Sequence, residues 1–296
     1  MMKNQDKYAV AVRKPDYEIV VEVSEYNGLL SNKKIRNMPI FRGVFSFIES
    51  LTLGMRALTF SASFYEDEED EKPEKEQKKD EKKQKKQEDA MMGGTMLLSV
   101  VLAVAIFMVL PYYISLFFQR FITSDIAIAL LEGVIRLAIF VGYVGAISLM
   151  PDIKRVYMYH GAEHKCINCI EHGMELTVEN VRKSSKQHKR CGTSFMLIVM
   201  LISILFFMVI RVDNGLVKIL LRILLIPVIA GVSYEFIRVA GRSDRAIVNI
   251  LSKPGMWLQN LTTKEPDDDM IEVGIASVEA VFDWRSYVAE MKNDEV

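Results

Sequence analysis

The amino-acid sequence predicts a mainly α, polytopic membrane protein with four transmembrane helices, a short N-terminal β-hairpin and cytoplasmic amphipathic helices. Three observations carry this prediction. Half of the 296 residues are hydrophobic and a quarter are charged, but the two classes are segregated. Residues 91–150 hold four charges (Arg120, Asp125, Glu132, Arg136), whereas 20 of the 24 residues at 66–89 are charged. Four stretches approach the roughly 20 apolar residues that a helix needs to cross a bilayer. Lys and Arg gather on alternate connections between them. The net charge of -1 hides this pattern and gives no ground for a nucleic-acid partner. Half-apolar composition excludes a wholly disordered chain, and three cysteines exclude a disulfide scaffold.

Residues 1–64 read as a β-hairpin followed by an interfacial helix. Tyr8–Arg13 and Glu18–Val23 are β-rich runs around Lys14-Pro-Asp-Tyr17, and Pro followed by Asp suits a tight turn. No cleavable signal peptide is expected, since the chain opens on polar residues and a strand-like pattern. Residues 38–64 are apolar apart from Arg42, Glu49 and Arg56, whose seven-residue spacing keeps them on one helical stripe. That pattern predicts an amphipathic helix lying on the membrane or against the bundle, with a re-entrant segment as the alternative. Residues 65–92 form a charged linker, within which 66–89 mix 12 acidic residues with eight Lys. A solvated linker is the reading there, and a docking tail has no support.

Residues 93–150 carry transmembrane helices 1 and 2 (Gly94–Phe118 and Ile126–Met150), and Pro111 marks a kink or an exit point in the first. Residues 151–192 form a long polar connection, and 193–241 carry helices 3 and 4 (Thr193–Ile210 and Leu216–Ala240). Glu132 and Arg136 are an i,i+4 pair that reads as structural glue. The region before Gly93 has 17 Lys and Arg and the 151–192 connection has eight, against one in each short connection. The positive-inside rule then places both termini and the long connection in the cytoplasm of a bacterial cell. Residues 242–296 close the chain. There Glu265-Pro-Asp-Asp-Asp269 is an acidic helix start, and 270–290 show the apolar spacing of one amphipathic helix.

All three cysteines and all four histidines fall in the 151–192 connection. A reducing compartment argues for metal binding or free thiols rather than disulfides. His160-Gly-Ala-Glu163-His164 is the inverted zinc-protease pattern. Histidines four apart share a helix face, so two imidazoles can hold one Zn²⁺ while Glu163 acts as general base. The bland alternative is a pair of surface histidines on a helix weakened by Gly161. Helical spacing makes Asn168 and Glu171 neighbours of the pair and puts Cys169 on the opposite face. The third metal ligand is sought, in order of preference, at His188, Cys191 and Glu235. The first two lie where the connection returns to the membrane. The third is an ionisable residue in an apolar helix, where a salt bridge to Arg238 is the alternative.

Five segments resemble a known family: Tyr159–Lys165, Leu176–Arg182, His188–Phe195, Ser233–Phe236 and Leu258–Pro266. Together they look like the YqhQ-like membrane proteins of Firmicutes and related bacteria, a family of unknown function often labelled a predicted metal-dependent enzyme. The resemblance spans nearly the whole chain except 66–89. It implies a Gly-rich segment ending in Met-Met-Arg ahead of the first strand, and Met1-Met2-Lys3 is similar to the tail of that segment. The leading expectation is a metal-dependent enzyme at the cytoplasmic membrane face, holding a divalent ion such as Zn²⁺ and hydrolytic in reaction. The second is a non-enzymatic assembly or accessory protein, binding a membrane-protein partner and at most a structural metal. A transporter ranks third, because no internal repeat or polar stripe runs through the four spans.

Overall fold

The computed structural model describes residues 1–26, 28, 38–64, 93–95, 97–210, 212, 214–241 and 245–294. The charged linker expected at 65–92 lies outside the described residues. A small antiparallel sheet precedes a helical chain. Four helices are long and apolar enough to cross a membrane: α2 (Gly93–Phe118), α3 (Asp125–Ile147), α6 (Gly192–Val209) and α7 (Gly215–Ala240). At about 1.5 Å per residue the shortest, α6, reaches about 27 Å, close to the hydrocarbon thickness of a bilayer. No more than 28% of each apolar stretch is buried within the protein, and the remaining apolar surface suits a lipid environment. Contacts divide the chain into two compact units.

The first unit comprises Met1–Tyr65, Tyr143–Ile202 and Leu225–Val296. Its sheet has the order β1 (Met2–Asn4), β2 (Lys7–Arg13), β3 (Ile19–Glu25), all antiparallel. The expected hairpin is β2–β3, in register from Lys7↔Glu25 to Arg13↔Ile19. Its turn is closed by the Tyr17 amide donating to Lys14 O at 3.0 Å, with Asp16 Oδ1 accepting from the Glu18 amide at 3.0 Å. β1 adds a third strand (Met2↔Ala9), too short to stand out in the sequence. Tyr8, Val10 and Val12 turn to one face and pack on Leu53 of α1 (Phe41–Ser63).

Helix α1 forms as its periodicity predicts, but two of the three charges on its stripe turn to partners in the fold. Arg42 pairs with Glu235, and Glu49 is buried beside Lys3 at 3.7 Å. The outward face carries Phe41, Ile48, Leu51, Met55 and Leu58, at the 3–4 spacing of an apolar stripe. The reason is local. Arg42 and Glu49 find partners within the fold while Arg56 stays exposed, and Gly43 meets Gly231 of α7 so closely that an added Cβ would lie 3.0 Å from its Cα. The remaining helices of this unit are α4 (Pro151–Glu171), α5 (Val178–Lys183), α8 (Ala246–Thr262), α9 (Asp268–Glu279) and α10 (Trp284–Asp294). Cys166, Cys169, Ile170, Val181, Ile271 and Trp284 belong to a core shared by α4, α5, α9 and α10. The single helix expected at 270–290 is therefore two, because Asp283 caps a new start by accepting from the Ser286 amide at 3.2 Å.

The second unit comprises Glu66–Gly142 and Ser203–Leu224. Here Pro111 acts as the sequence suggests. It cannot donate to the carbonyl four residues back, and the preceding turn, Ala105–Val109, widens to a π-helix. The freed Phe107 carbonyl accepts from Arg136 Nε at 2.9 Å. Arg136 also meets Glu132 at 2.7 Å, and Glu132 in turn binds both terminal nitrogens of Arg222 at 2.5 and 2.8 Å. The expected i,i+4 pair is thus a buried triad, each member at most 3% exposed. Its third member lies 90 residues away.

Candidate metal centre

Helix α4 presents His160, Glu163 and His164 from successive turns, and the two imidazole centroids stand 4.5 Å apart. Gly161 does not weaken the helix but admits a neighbour. A Cβ there would lie 2.0 Å from the Lys264 carbonyl oxygen. The close approach is fixed by the Lys264 amide donating to Tyr157 O at 2.9 Å. It brings the Thr262 carbonyl to His160 Nδ1 at 3.0 Å, and on the next turn the Lys186 carbonyl lies 2.7 Å from His164 Nδ1. A carbonyl only accepts, so both rings carry a proton on Nδ1 and, when neutral, a lone pair on Nε2.

The third group of the cluster is Cys191, the residue just before α6. Its Sγ lies 3.4 Å from His160 Nε2, and the ligand atoms of His160, His164 and Cys191 all lie within 4.8 Å of one another. Tetrahedral zinc separates such atoms by about 3.3–3.7 Å, so the trio fits the ion after closing by about an ångström. The Thr193 amide and hydroxyl at the start of α6 also approach the sulfur, at 3.4 and 3.0 Å. Burial alone pushes the Cys191 thiol up, but hydrogen bonds from His160 and His164 outweigh it and bring it down to about 5. Burial alone pushes His160 down, and the hydrogen bond and charge of Cys191 outweigh that and raise it to about 9. Without metal, the pair at neutral pH is a thiolate and an imidazolium.

Of the residues sought from sequence, the structure brings His160, His164 and Cys191 into one cluster and sets Glu163 beside it. Glu163, the two histidines and Cys191 line one cavity of about 560 Å³. His188 lines the same cavity but is held by other partners. Its Nε2 lies 3.0 Å from Glu171, which also pairs with Arg190, and its Nδ1 accepts from the Arg190 amide at 3.2 Å. Glu235 stands apart, held by Arg42 of α1, with Arg238 at 3.9 Å. Asn168 and Glu171 are indeed neighbours of the histidine face, while Cys169 points into the core and its SH approaches Glu175 O at 3.3 Å. Burial pushes both Cys166 and Cys169 thiols up, so they are inert packing groups.

Several supporting residues escape sequence reasoning. Buried Gln259 of α8 grips the segment that carries Cys191. Its amide nitrogen donates to His188 O at 2.8 Å and Ser194 Oγ at 2.6 Å, and its oxygen accepts from the His188 amide at 2.8 Å. Lys165 donates to the carbonyls of Arg182 and Ser184 at 3.0 and 2.9 Å and pairs with Glu265 at 2.9 Å. Asn168 donates to those of Ser185 and Gln187 at 2.6 and 2.9 Å. These two side chains fasten the loop whose Lys186 carbonyl orients His164. The Lys directly after the motif was the one available signal, whereas a backbone carbonyl has no signature in sequence.

The model of a family described as a protein of unknown function, DUF1385, matches residues 38–284. All five segments that carry the resemblance fall inside that match. The chain is 33% identical over 249 residues to the uncharacterized protein YqhQ of Bacillus subtilis (strain 168), covering 82% of this chain and 76% of that one. No solved structure matches it. By the extent of the family match and of the similarity to YqhQ, the chain belongs to the DUF1385 family.

Proposed function

We propose that the protein is a metal-dependent hydrolase of the bacterial cell membrane whose centre faces the cytoplasm. His160 Nε2, His164 Nε2 and Cys191 Sγ hold one divalent ion, most fittingly Zn²⁺. The observation that carries this reading is the pair of carbonyls on Nδ1, which turns both Nε2 atoms toward a cation site beside an anionic sulfur, with the His160 Nε2 proton displaced on binding. Metal-binding histidines are oriented by such outer partners. A bound divalent ion supplies Lewis acidity and makes water a nucleophile at neutral pH. Glu163 takes a proton from the attacking water onto its carboxylate and returns it to the leaving group. Arg190 and Lys3 also line the cavity wall, where Glu171 and Glu49 pair with them.

The competing reading, an accessory protein with a structural metal, calls for a closed four-ligand site. Among the described residues the cluster has three ligand groups and borders a cavity, which supports a centre with an open position. The distribution of Lys and Arg supports the cytoplasmic placement of both termini and of the centre.

The test is the metal content of the detergent-purified protein beside His160→Ala and His164→Ala. About one ion per chain in the wild type and loss in both variants are expected. No stoichiometric metal in the wild type refutes the reading. Glu163→Gln keeps the metal and loses function, and full complementation of a deletion phenotype by that variant excludes the carboxylate as base. Reporter fusions at both ends test the orientation.

A further inference from the structure

His160 and Glu163 line a second cavity as well, of about 620 Å³, along the N-terminal half of α4. We infer that this cavity takes the phosphate-bearing headgroup of a membrane phospholipid, whose acyl chains run along the outward apolar face of α1. This assigns a substrate class to the centre and rests on the hydrolase reading above.

Three features of the cavity point the same way. Its rim is apolar and open. Leu58 of α1 and Val156 of α4 line it, yet are 56% and 47% exposed. Leu58 is also the last residue of the outward stripe Phe41–Ile48–Leu51–Met55–Leu58, so one apolar surface runs along α1 into the cavity. Val10 and Val12 of β2 continue the apolar wall inward, toward His160 and Glu163.

The second feature is depth. Cys191 immediately precedes the apolar helix α6, and α4 starts at Pro151, four residues after the apolar helix α3 ends at Ile147. Arg155, on the second turn of α4, is about 6 Å along the helix from Pro151. The headgroup zone of a leaflet is about 5–8 Å thick. The cavity mouth and the cluster therefore stand at the level where lipid phosphates lie, which suits a substrate that never leaves the bilayer.

The third is charge. Two arginines line the cavity, together with the carboxylates of Asp152 and Glu163. Arg13 is committed to Glu272 at 2.6 Å and to the Asp269 carbonyl at 3.0 Å. Arg155 is exposed and lies over the Tyr159 ring at 6.0 Å, with no carboxylate in ion-pair range among the described residues. A planar guanidinium near an apolar rim at headgroup depth is a phosphate anchor. The volume suits a headgroup with its glycerol but not two acyl chains, which the α1 stripe then accommodates.

The experiment uses the full chain, purified in detergent and stripped of lipid. Binding of dioctanoyl phosphatidylglycerol is compared with that of glycerol 3-phosphate, which lacks the tails, and of dioctanoylglycerol, which lacks the phosphate. The intact lipid is expected to bind at least about tenfold more tightly than either fragment, and Arg155→Gln and Leu58→Gln each to lose about tenfold, with Arg155→Lys recovering part. Both positions are exposed, so the fold tolerates the changes, and zinc content is read on the same samples. Equal binding of dioctanoylglycerol, wild-type affinity in both variants, or displacement of the lipid by an extended peptide overturns the proposal. Tight binding of glycerol 3-phosphate alone turns the site into one for soluble phosphate esters and overturns it too. Lipid binding that survives in a protein without zinc refutes the hydrolase reading and leaves the cavity's ligand intact.

Discussion

Gly161→Ala probes whether the carbonyl that orients His160 sets the affinity of the centre. The new Cβ would start 2.0 Å from Lys264 O, whereas ordinary contact begins at 3.4 Å. The difference, 1.4 Å, must come from backbone movement, because the obstacle is a carbonyl and not the end of a flexible side chain. Lys264 is tied to Tyr157, and two residues earlier the Thr262 carbonyl receives the His160 Nδ1 proton at 3.0 Å. A displacement of that size breaks the latter hydrogen bond. Overpacking of this kind costs about 1–3 kcal/mol, offset by about 1 kcal/mol from the better helix propensity of Ala. Fold stability is therefore expected to fall by at most about 2 kcal/mol. Zinc affinity is expected to fall further, by about 10–100-fold, the usual effect of losing an outer partner of a metal-binding histidine. Competition against a chromogenic chelator measures the affinity and thermal unfolding measures the stability. Gly142→Ala, where a Cβ would meet nothing within 4 Å, is the matched control. Wild-type zinc affinity in Gly161→Ala would refute the reasoning.

Three further predictions follow from the same geometry. His160 binds its proton up to about pH 9 and Cys191 has lost its own above about pH 5, so zinc uptake between those limits displaces one proton. Affinity should climb about tenfold per pH unit across that window, and a flat profile from about pH 6 to 8 contradicts the thiolate–imidazolium pair. Lys165→Met removes the ties to Arg182, Ser184 and Glu265 and should weaken zinc binding about tenfold through His164. Unchanged affinity would show that the loop holds itself. Glu132→Gln leaves Arg136 and Arg222 buried without their carboxylate and should destabilise the protein by about 3–5 kcal/mol in denaturant titrations in detergent. An effect under about 1 kcal/mol would mean that the triad is hydrated.

What the sequence made legible depended on the distance over which each feature is specified. The apolar helices, the hairpin turn at Lys14–Tyr17 and the shared face of His160, Glu163 and His164 are local, and periodicity places them. The same angular argument correctly turned Cys169 away. The third group of the cluster is 31 residues from His160. Sequence spacing alone ranked His188 ahead of Cys191. The choice is made by Gln259, which grips the backbone of His188 while Glu171 takes its ring. Glu235 offered a carboxylate in an apolar helix, but Arg42, 193 residues earlier, claims it. Arg42 also explains α1, whose charges predicted an amphipathic helix without saying which face would meet lipid. The break between α9 and α10 was local, and the Asp283–Ser286 cap was there to be read.

The two carbonyls that set the histidine tautomers come from opposite ends of a long excursion. Lys186 precedes α6, and Thr262 follows α7. His160 can find its partner only after both α6 and α7 have been made and the chain has returned through α8. During synthesis the cluster must therefore be among the last features to mature, completed when α8 docks after the final apolar helix is in place. A chain stalled before Thr262 would carry both histidines and Cys191 but lack the hydrogen bond that turns His160 toward the sulfur. On the proposed metal-centre reading, such a nascent chain would not take up metal at full affinity, and a complete centre would report that the last apolar helix is in place.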